Sequence, residues 1–504
     1  MKRSRLFQVV AVAILSAVYT AVRMWRSSAS CLWFDEIFSV HAAEHTWGTI
    51  IAFVAKDLIH PPLFYFFLKI WISIGGESLS WLRLLPVAFA VAAIVPFLYL
   101  CRELRLAVWS QLVAFLLFAV NGSLIKYSQE VRMYSLMLCL SLFSMWLFVR
   151  YFHKGKGLAP LIIVNILLIY SHYFGWFVAL SEVAAIVIFQ RIKIRAILIM
   201  LGACAASYIP WMIAVWTAVR EGSNVGQNIG WMQRPQIIDL VKLVVDLAEP
   251  FYFPASNAEP FSVFAVSVPI IIVVAGGLVV GVINDRARES ERFETKRLLA
   301  IFILLPVLSA FLASWFLPYS IWGTRHLVVV FVPAFLLVGA VIGRIKIAGL
   351  KIAVIAILLL ISGYAFAIQA RRETPTYIWC AWEPLAADVT SSGVEKLYVF
   401  EDLVAYHFWF ALHEKGSRVE VAKIRSVDGV TEDPAYFLPR GFDDIATIDL
   451  PEADAPRFWI AYRGERIDES KGPLSAFVQR GYHIADRKVY AASGDSAILI
   501  LLEK

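Results

Sequence analysis

"MKRSRLFQVVAVAILSAVYTAVR", residues 1 to 23, begins with basic residues and continues as an apolar run long enough to cross a bilayer. The start resembles a secretory signal peptide, but the run is long and lacks a convincing small-residue cleavage site, so we interpret it as a first membrane span. Similar runs recur as far as residue 369. The sequence therefore predicts a polytopic α-helical membrane protein.

The composition supports this prediction and divides the chain in two. Of the 504 residues, 60% are hydrophobic, and the mean hydropathy is +0.70, which is too apolar for a soluble domain of this length. Residues 1–371 hold 31 Lys and Arg against 17 Asp and Glu (+14), and residues 372–504 hold 15 against 22 (−7), which together give +7. We predict a transmembrane domain over 1–371 and an extracytoplasmic soluble domain over 372–504.

The acidic tail is predicted to be a small α/β domain. Strand-like "KLYVF" (396–400) and "RFWIAY" (457–462) flank helix-like "EDLVAYHFWFALHEKG" (401–416), and "HIADRKVYAA" with "SAILILLE" is typical of a closing pair of strands. The basic membrane half is attributed to cytoplasmic loops and not to nucleic-acid binding, because Lys and Arg concentrate on the inner side of membranes.

The basic loops also predict the orientation of the spans. The N-terminus and the short loops at 102–105, 150–156, 191–195, 285–297 and 343–351 are basic and are assigned to the cytoplasm. Spans between them must come in pairs, so "HPPLFYFFLKIWISIGG" (60–76) is interpreted as an interfacial or re-entrant helix. The eleven predicted spans lie at about 6–23, 81–101, 107–123, 133–150, 158–171, 174–190, 196–217, 260–283, 298–317, 327–343 and 350–369.

This topology places an adjacent pair of carboxylates, Asp35 and Glu36, at the outer face. They lie between "CLWF" and "IFSV", so an apolar surface surrounds them. A carboxylate in contact with lipid is destabilising and must face water, a cation or a buried site. One interpretation is an exposed loop without a role. The other is that a partly desolvated carboxylate takes a proton from a hydroxyl group.

Further polar residues are predicted at the same face. His60 precedes two prolines and either starts a helix without a role or donates a hydrogen bond to an anion. Glu130 and Arg132 are two residues apart, so an ion pair between them does not explain both. Arg132 could be an interfacial anchor that reaches lipid phosphate. Its position at the outer face runs against the charge bias and also suits a substrate phosphate.

Two more pairs complete the candidate set. Arg325 and His326 follow "PYSIWGT" and could hold a lipid phosphate or contact the tail domain. His172 and Tyr173 are secondary candidates, for which an interfacial aromatic cluster is the simpler interpretation. The middle of residues 218–259 resembles an amphipathic helix that lies on the membrane. All of these segments are predicted to lie on one side of the bilayer.

The five cysteines have no spacing typical of a metal site. Cys31 and Cys380 could meet on the outer face, but we do not expect a disulfide between them. The sequence shows no cluster of metal ligands, so no metal-binding residue is predicted, and a divalent cation is left open as a cofactor. It also lacks a Walker-type glycine loop, which agrees with a substrate other than a nucleotide.

Four of these motifs together resemble a known family. "FDE", "HPPLFY", "QEVRMY" and "GTRHLVVVFVP" are similar in order and spacing to motifs of the polyprenyl-phosphate-sugar-dependent glycosyltransferases of the C superfamily (GT-C fold), which include the protein O-mannosyltransferases and the lipid A aminoarabinose transferase. The resemblance covers residues 1 to about 345 and does not extend to the tail. It implies inverting transfer of a hexose or pentose from a polyprenyl-phosphate donor to a glycan, lipid or protein hydroxyl, in lipopolysaccharide or protein glycosylation.

The resemblance also implies roles for individual residues. Asp35 matches the catalytic base, while Glu36 and Glu130 match acidic positions that place the acceptor or donor. The histidine of the HPP motif is His60, and Arg132 and Arg325 match positions suited to the leaving phosphate. Many members have Tyr where this chain has His326, so the role of this histidine is open.

The resemblance further implies a multi-pass protein of the bacterial inner membrane that contacts membrane lipids, and the basic first residues predict that its N-terminus is in the cytoplasm. The alternative is a transporter or flippase for a lipid-linked sugar. Transporters tend to contain internal repeats and ionisable residues near the middle of the bilayer. Here the polar residues gather at one interface, and no repeat is found in the sequence, so the enzyme is favoured.

Overall fold

The protein, analysed as a computed structural model, consists of a helical membrane part and a C-terminal part built on one β-sheet. The structure describes residues 2–251, 261–285, 291–343, 345–374, 376–425, 427–430, 444–467 and 471–504. The helices of the membrane part are α1 Lys2–Met24, α2 Phe34–Glu44, α3 Ile50–Asp57, α4 Leu63–Gly75, α5 Leu79–Ala92, α6 Ile94–Glu103, α7 Val108–Val120, α8 Gly122–Ser128, α9 Tyr134–Lys154, α10 Leu158–Ser171, α11 Gly175–Phe189, α12 Ile194–Arg220, α13 Gly226–Ile229, α14 Ile237–Ala248, α15 Phe261–Asp285, α16 Glu291–Phe316, α17 Phe331–Ile342 and α18 Ala348–Arg371.

Each of the eleven predicted spans coincides with a helix, and α5 and α6 together form the second one. Six of the described helical segments are long and apolar enough to cross a membrane. The segment interpreted as interfacial is α4, whose 13 residues extend about 20 Å. Helix α7, a predicted span, also has 13 residues. Length therefore does not decide between them, and the count of eleven spans stays a prediction.

A small polar network lies inside the membrane part between α9, α10 and α11. The Ser144 hydroxyl is 2.6 Å from Glu182 Oε1 and 2.7 Å from Asn165 Oδ1, and Asn165 Nδ2 donates to Glu182 Oε2. All three side chains are fully buried. Ser144 has one hydrogen to give to two oxygens. A protonated Glu182 that donates to Ser144 would satisfy every group of the ring, so we expect Glu182 to be a neutral acid.

The C-terminal part is a mixed sheet with helices, and it confirms the predicted α/β character of the tail. Its strands run in the order β3-β2-β1-β4-β6-β5; β3, β2, β1 and β4 are mutually parallel, and β6 is antiparallel to both β4 and β5. Apolar clusters cover both faces of the sheet. The elements are α19 Trp382–Ser391, β1 Lys396–Val399, α20 Asp402–Glu414, β2 Glu420–Arg425, β3 Ala446–Asp449, β4 Arg457–Arg463, α21 Pro473–Gln479, β5 His483–Ala492 and β6 Asp495–Glu503.

The two parts are joined by a disulfide that the sequence analysis did not expect. Cys31 and Cys380 are bonded, with their Cα atoms 5.4 Å apart, although 349 positions separate them in the chain. The expectation was wrong because spacing along the chain carries no information on this contact, which arises where the C-terminal part packs on the loop after α1. Nearby, His41 of α2 hydrogen-bonds to the Tyr406 hydroxyl of α20 at 2.8 Å.

Candidate active site

Helix α2 presents the two adjacent carboxylates in different environments. Both lie in its first turn, where the positive end of the helix dipole favours acidic residues. The Asp35 side chain is 27% exposed, whereas the Glu36 side chain is completely buried. Asp35 is therefore the carboxylate that a substrate can reach.

Glu36 is held by donors from three segments. It accepts hydrogen bonds from Arg83 Nε and Nη2 at 3.2 and 2.8 Å, from the Val131 amide at 2.8 Å and from the Trp33 amide at 3.2 Å. Arg83, on α5, also donates to the Ser27, Ser30 and Cys31 carbonyls. A carboxylate with all of these donors has little capacity left for a substrate. The predicted role of Glu36 in placing acceptor or donor is better explained as positioning of the loop before α2.

Arg132 connects Asp35 to His60. Its Nη1 donates to the Asp35 carbonyl at 3.0 Å and to the Ser39 hydroxyl at 3.1 Å, and its Nη2 lies 3.2 Å from His60 Nδ1. The residue is 3% exposed, so it is not the lipid-facing anchor considered above. The segment 129–133 lies outside the helices, and Arg132 points into the protein interior beside α2.

Arg325, which is distant in sequence, contacts the carboxylate of Asp35. Its Nη1 is 3.4 Å from Asp35 Oδ2, and the neighbouring Thr324 hydroxyl donates to Asp246 Oδ2 at 2.6 Å. The guanidinium also faces the ring of Trp231 at 5.9 Å. The structure thus brings Asp35, Arg132 and Arg325 together although 290 positions separate the first from the last.

Three histidines form a buried group next to Arg132. The ring centroids of His60 and His172 are 5.3 Å apart, and those of His172 and His326 are 5.2 Å apart. Burial and the adjacent guanidinium groups lower the pKa of His60 and of His172 well below its ordinary value and that of His326 to about 3. All three imidazoles are therefore neutral near pH 7.

The remaining predicted residues lie at the edges of this arrangement. Glu130 is partly buried, and burial, opposed by Lys126, raises its pKa to about 7. The Tyr173 hydroxyl faces the Leu58 carbonyl and the Trp211 indole nitrogen, each at 3.3 Å. The hydroxyl of Tyr173 thus connects α12 to the residue that follows α3.

Two polar residues of the site escaped the sequence analysis. Asp57 ends α3; it accepts from Asn228 Nδ2 at 3.0 Å, and its Oδ2 is 3.5 Å from His60 Nδ1. Burial, opposed by Arg132, raises the pKa of Asp57 to about 7. Arg83 lies inside a predicted span, and a charge at such a position is itself a signal of a buried partner. Asp57 had no comparable signal, because a carboxylate at the end of a short helix is common.

Comparison with known proteins supports the fold. No protein-family model and no curated protein matches the sequence. The structure of ArnT from Cupriavidus metallidurans bound to undecaprenyl phosphate aligns over 98% of this chain and 97% of its own, with a TM-score of 0.59 and 10% identity. The archaeal oligosaccharyltransferase AglB from Archaeoglobus fulgidus, in complex with an inhibitory peptide and a dolichol-phosphate, aligns over 81% of this chain and 64% of its own, with a TM-score of 0.50 and 14% identity. The multi-pass membrane chain therefore has the fold of these lipid-phosphate-binding glycosyltransferases, as its four motifs indicated.

Proposed function

We propose that the protein is an inverting glycosyltransferase that moves a monosaccharide from a polyprenyl-phosphate donor to a hydroxyl acceptor at the outer face of the membrane. The observation that carries this proposal is the accessible Asp35 carboxylate beside the Arg325 guanidinium, 3.4 Å away. Single-step inverting displacement uses a base on the acceptor hydroxyl at one face of the sugar and a cation on the departing phosphate at the other, and Asp35 and Arg325 supply one group of each kind. The fold shared with ArnT and AglB supports the same type of reaction.

In this mechanism Asp35 accepts the proton of the acceptor hydroxyl as its oxygen forms a bond to the anomeric carbon. The bond from that carbon to the phosphate oxygen breaks at the same time, and its electron pair leaves with the polyprenyl phosphate. Arg132 donates to the carbonyl of Asp35 itself, so it fixes the backbone from which the base projects. Glu36, held by Arg83, fixes the same turn from the other side.

Arg325 is the residue best suited to the leaving phosphate. The Nη atoms of Arg132 are engaged by Asp35, Ser39 and His60. Arg325 contacts Asp35 only at the long distance of 3.4 Å. The phosphodiester of the donor accepts a planar fork of donors through its two non-bridging oxygens, and its negative charge grows as the polyprenyl phosphate leaves. Donor binding therefore draws Arg325 toward the phosphate and releases Asp35 to act as a base.

The direction of the spans gives the cellular setting of the proposal. With basic loops in the cytoplasm, the site and the C-terminal domain, residues 372–504, face the extracytoplasmic side of a bacterial inner membrane. The acceptor can be a glycan, a lipid or a protein, and the sugar a hexose or a pentose. The transmembrane domain of this proposal is residues 1–371.

The test is release of free polyprenyl phosphate from donors that carry a radiolabelled sugar. Purified protein is incubated with undecaprenyl-phosphate-linked sugars and a membrane extract that supplies acceptors. We expect sugar-dependent release by the wild type and a loss of about 10²- to 10⁴-fold in Asp35→Asn, the range typical of removing a general base, with unchanged donor binding. Asp388→Asn removes a carboxylate from an ion pair with Lys488 in the C-terminal part and is the matched control.

Donor that binds without release in any extract, together with no effect of Asp35→Asn, would contradict the enzyme. It would favour the flippase, which a vesicle assay of lipid-linked sugar translocation then tests.

A further inference from the structure

The three buried histidines come from separate segments and converge on one point. His60 lies in the turn before α4, His172 between α10 and α11, and His326 in the 3₁₀ turn before α17. They are 5%, 3% and 6% exposed. One ring nitrogen from each lies within 4.8 Å of the other two. A cation is one candidate occupant of such a group, so the protonation of each ring decides what fits.

The partner of each Nδ1 atom fixes the tautomer, because a neutral imidazole carries one hydrogen. His326 Nδ1 is 3.1 Å from the Ile321 carbonyl, which can only accept, so Nδ1 holds the proton and Nε2 has a free lone pair. His172 Nδ1 accepts the Phe174 amide at 3.1 Å, so the proton of His172 is on Nε2.

His60 follows the pattern of His172. Its Nδ1 is 3.2 Å from Arg132 Nη2, which can only donate, and this contact is shorter than the 3.5 Å approach of Asp57. The proton of His60 is therefore on Nε2. Burial and the neighbouring guanidinium groups keep all three rings neutral by lowering their pKa values.

The group thus offers two N–H donors and one acceptor. The Nε2 atoms of His60 and His172 are buried and have no hydrogen-bond partner among the described residues. A buried donor without a partner destabilises the protein, so each of these N–H groups favours an acceptor beside it. A metal ion needs a lone pair from every ligand, which two of the three Nε2 atoms do not offer. A phosphate oxygen can accept from both N–H groups but has no hydrogen for His326.

We propose that the three imidazoles bind one hydroxyl group of the transferred sugar. A hydroxyl oxygen accepts two hydrogen bonds and donates one, which matches His60, His172 and His326 in turn. This inference rests on the proposed function, because it places the sugar beside Arg132, whose Nη1 donates to the Asp35 carbonyl. The group also selects against a sugar with an ammonium at that position, since an ammonium has no lone pair for the two N–H donors.

The experiment compares lipids with and without a sugar. Affinities are measured for undecaprenyl phosphate and for undecaprenyl-phosphate-linked mannose, glucose and galactose, using wild type, His172→Phe and His326→Phe. We expect each variant to weaken binding of the preferred sugar lipid by about tenfold, as for one buried hydrogen bond, and to change binding of undecaprenyl phosphate by less than about twofold. His153→Phe, in the last turn of α9, is the matched control.

Monodeoxy forms of the preferred donor give a second measurement that does not depend on the variants alone. One deoxy form should bind the wild type about tenfold more weakly and show no further loss in His172→Phe. Equal losses for all lipids would overturn the proposal, as would a stoichiometric metal that is present in purified wild type and lost in His172→Phe. If His172→Phe weakened binding of every deoxy form as much as it weakens binding of the parent donor, the histidine group would hold water and not a sugar hydroxyl, and the proposal would be overturned. Absence of binding to any undecaprenyl lipid by the wild type would instead refute the proposed function.

Discussion

Arg83→Met is expected to destabilise the protein because it leaves the buried carboxylate of Glu36 without its counterion. The side chain of Glu36 is fully buried and that of Arg83 is 6% exposed, with Nη2 2.8 Å from Oε2. Removing one partner of a buried ion pair costs about 3–5 kcal/mol, because the remaining charge stays buried without its counterion. At no more than about 2 °C per kcal/mol, this loss of stability lowers the Tm by at most about 6 to 10 °C.

The assay is thermal unfolding in detergent of four proteins: wild type, Arg83→Met, Glu36→Gln and the double variant. Glu36→Gln places an amide N–H group where donors from Arg83, Val131 and Trp33 now converge, so this change also lowers Tm. The double variant removes both charges and should lose less than the sum of the single losses, with a coupling energy of about 2 kcal/mol.

Asp35→Asn is the reference for the neighbouring carboxylate. Its 3.4 Å contact with Arg325 is partly exposed, so we expect a stability change of at most about 1 kcal/mol while activity is lost. Glu36→Gln should lower stability and activity together. Additive losses in the double variant, or a larger Tm loss in Asp35→Asn than in Glu36→Gln, would refute the assignment of Asp35 to chemistry and Glu36 to positioning.

Three further results are expected. Dithiothreitol should lower the Tm of the wild type but not of Cys380→Ser. In the chain-entropy model a crosslink over 349 positions stabilises the protein by at most about 6 kcal/mol. Equal responses of the two proteins would show that the disulfide is absent. The pKa of His326 is lowered to about 3 from 6.5, so its contribution to stability is complete above pH 6.5 and is lost as the pH falls toward 3. In His326→Phe, the acid destabilisation between these pH values should be smaller by about 1.4 kcal/mol per pH unit. An unchanged dependence of Tm on pH would contradict this. Glu182→Gln, which keeps a donor toward Ser144, should unfold within about 1 kcal/mol of wild type, whereas Glu182→Leu should lose about 2–4 kcal/mol; a large loss in Glu182→Gln would indicate an ionised Glu182.

The sequence predicted the helices well because hydropathy is a local property. Each predicted span found a helix, and the segment after Pro61-Pro62 formed the short α4. The strands "KLYVF" and "RFWIAY" became the adjacent parallel strands β1 and β4. The amphipathic segment after residue 218 contains α14, on which Ile237 and Val241 remain more than half exposed. These patterns depend only on residues that are a few positions apart in the sequence.

Contacts between distant segments could not be predicted in the same way. The resemblance named Asp35, His60, Arg132 and Arg325 as site residues, and the structure places them in contact, although their roles stay proposals. It did not show that Glu36 is buried while Asp35 is accessible, since that difference depends on Arg83 of another helix. The meeting of the three histidines was missed because they come from three separate segments, and nothing in the sequence shows that these segments are in contact.

The tail domain, for which the sequence suggested no role, completes the support of the site. The loop between α1 and α2 is fixed from the membrane side by Arg83, which donates to the Cys31 carbonyl. On the opposite side the Cys31 sulfur is bonded to Cys380, and Tyr406 of α20 hydrogen-bonds to His41 of α2. A catalytic base acts efficiently only when its geometry is held by the surrounding residues. The helix that carries Asp35 is thus fixed between the membrane part and the C-terminal part, so the C-terminal part helps determine where this proposed base lies.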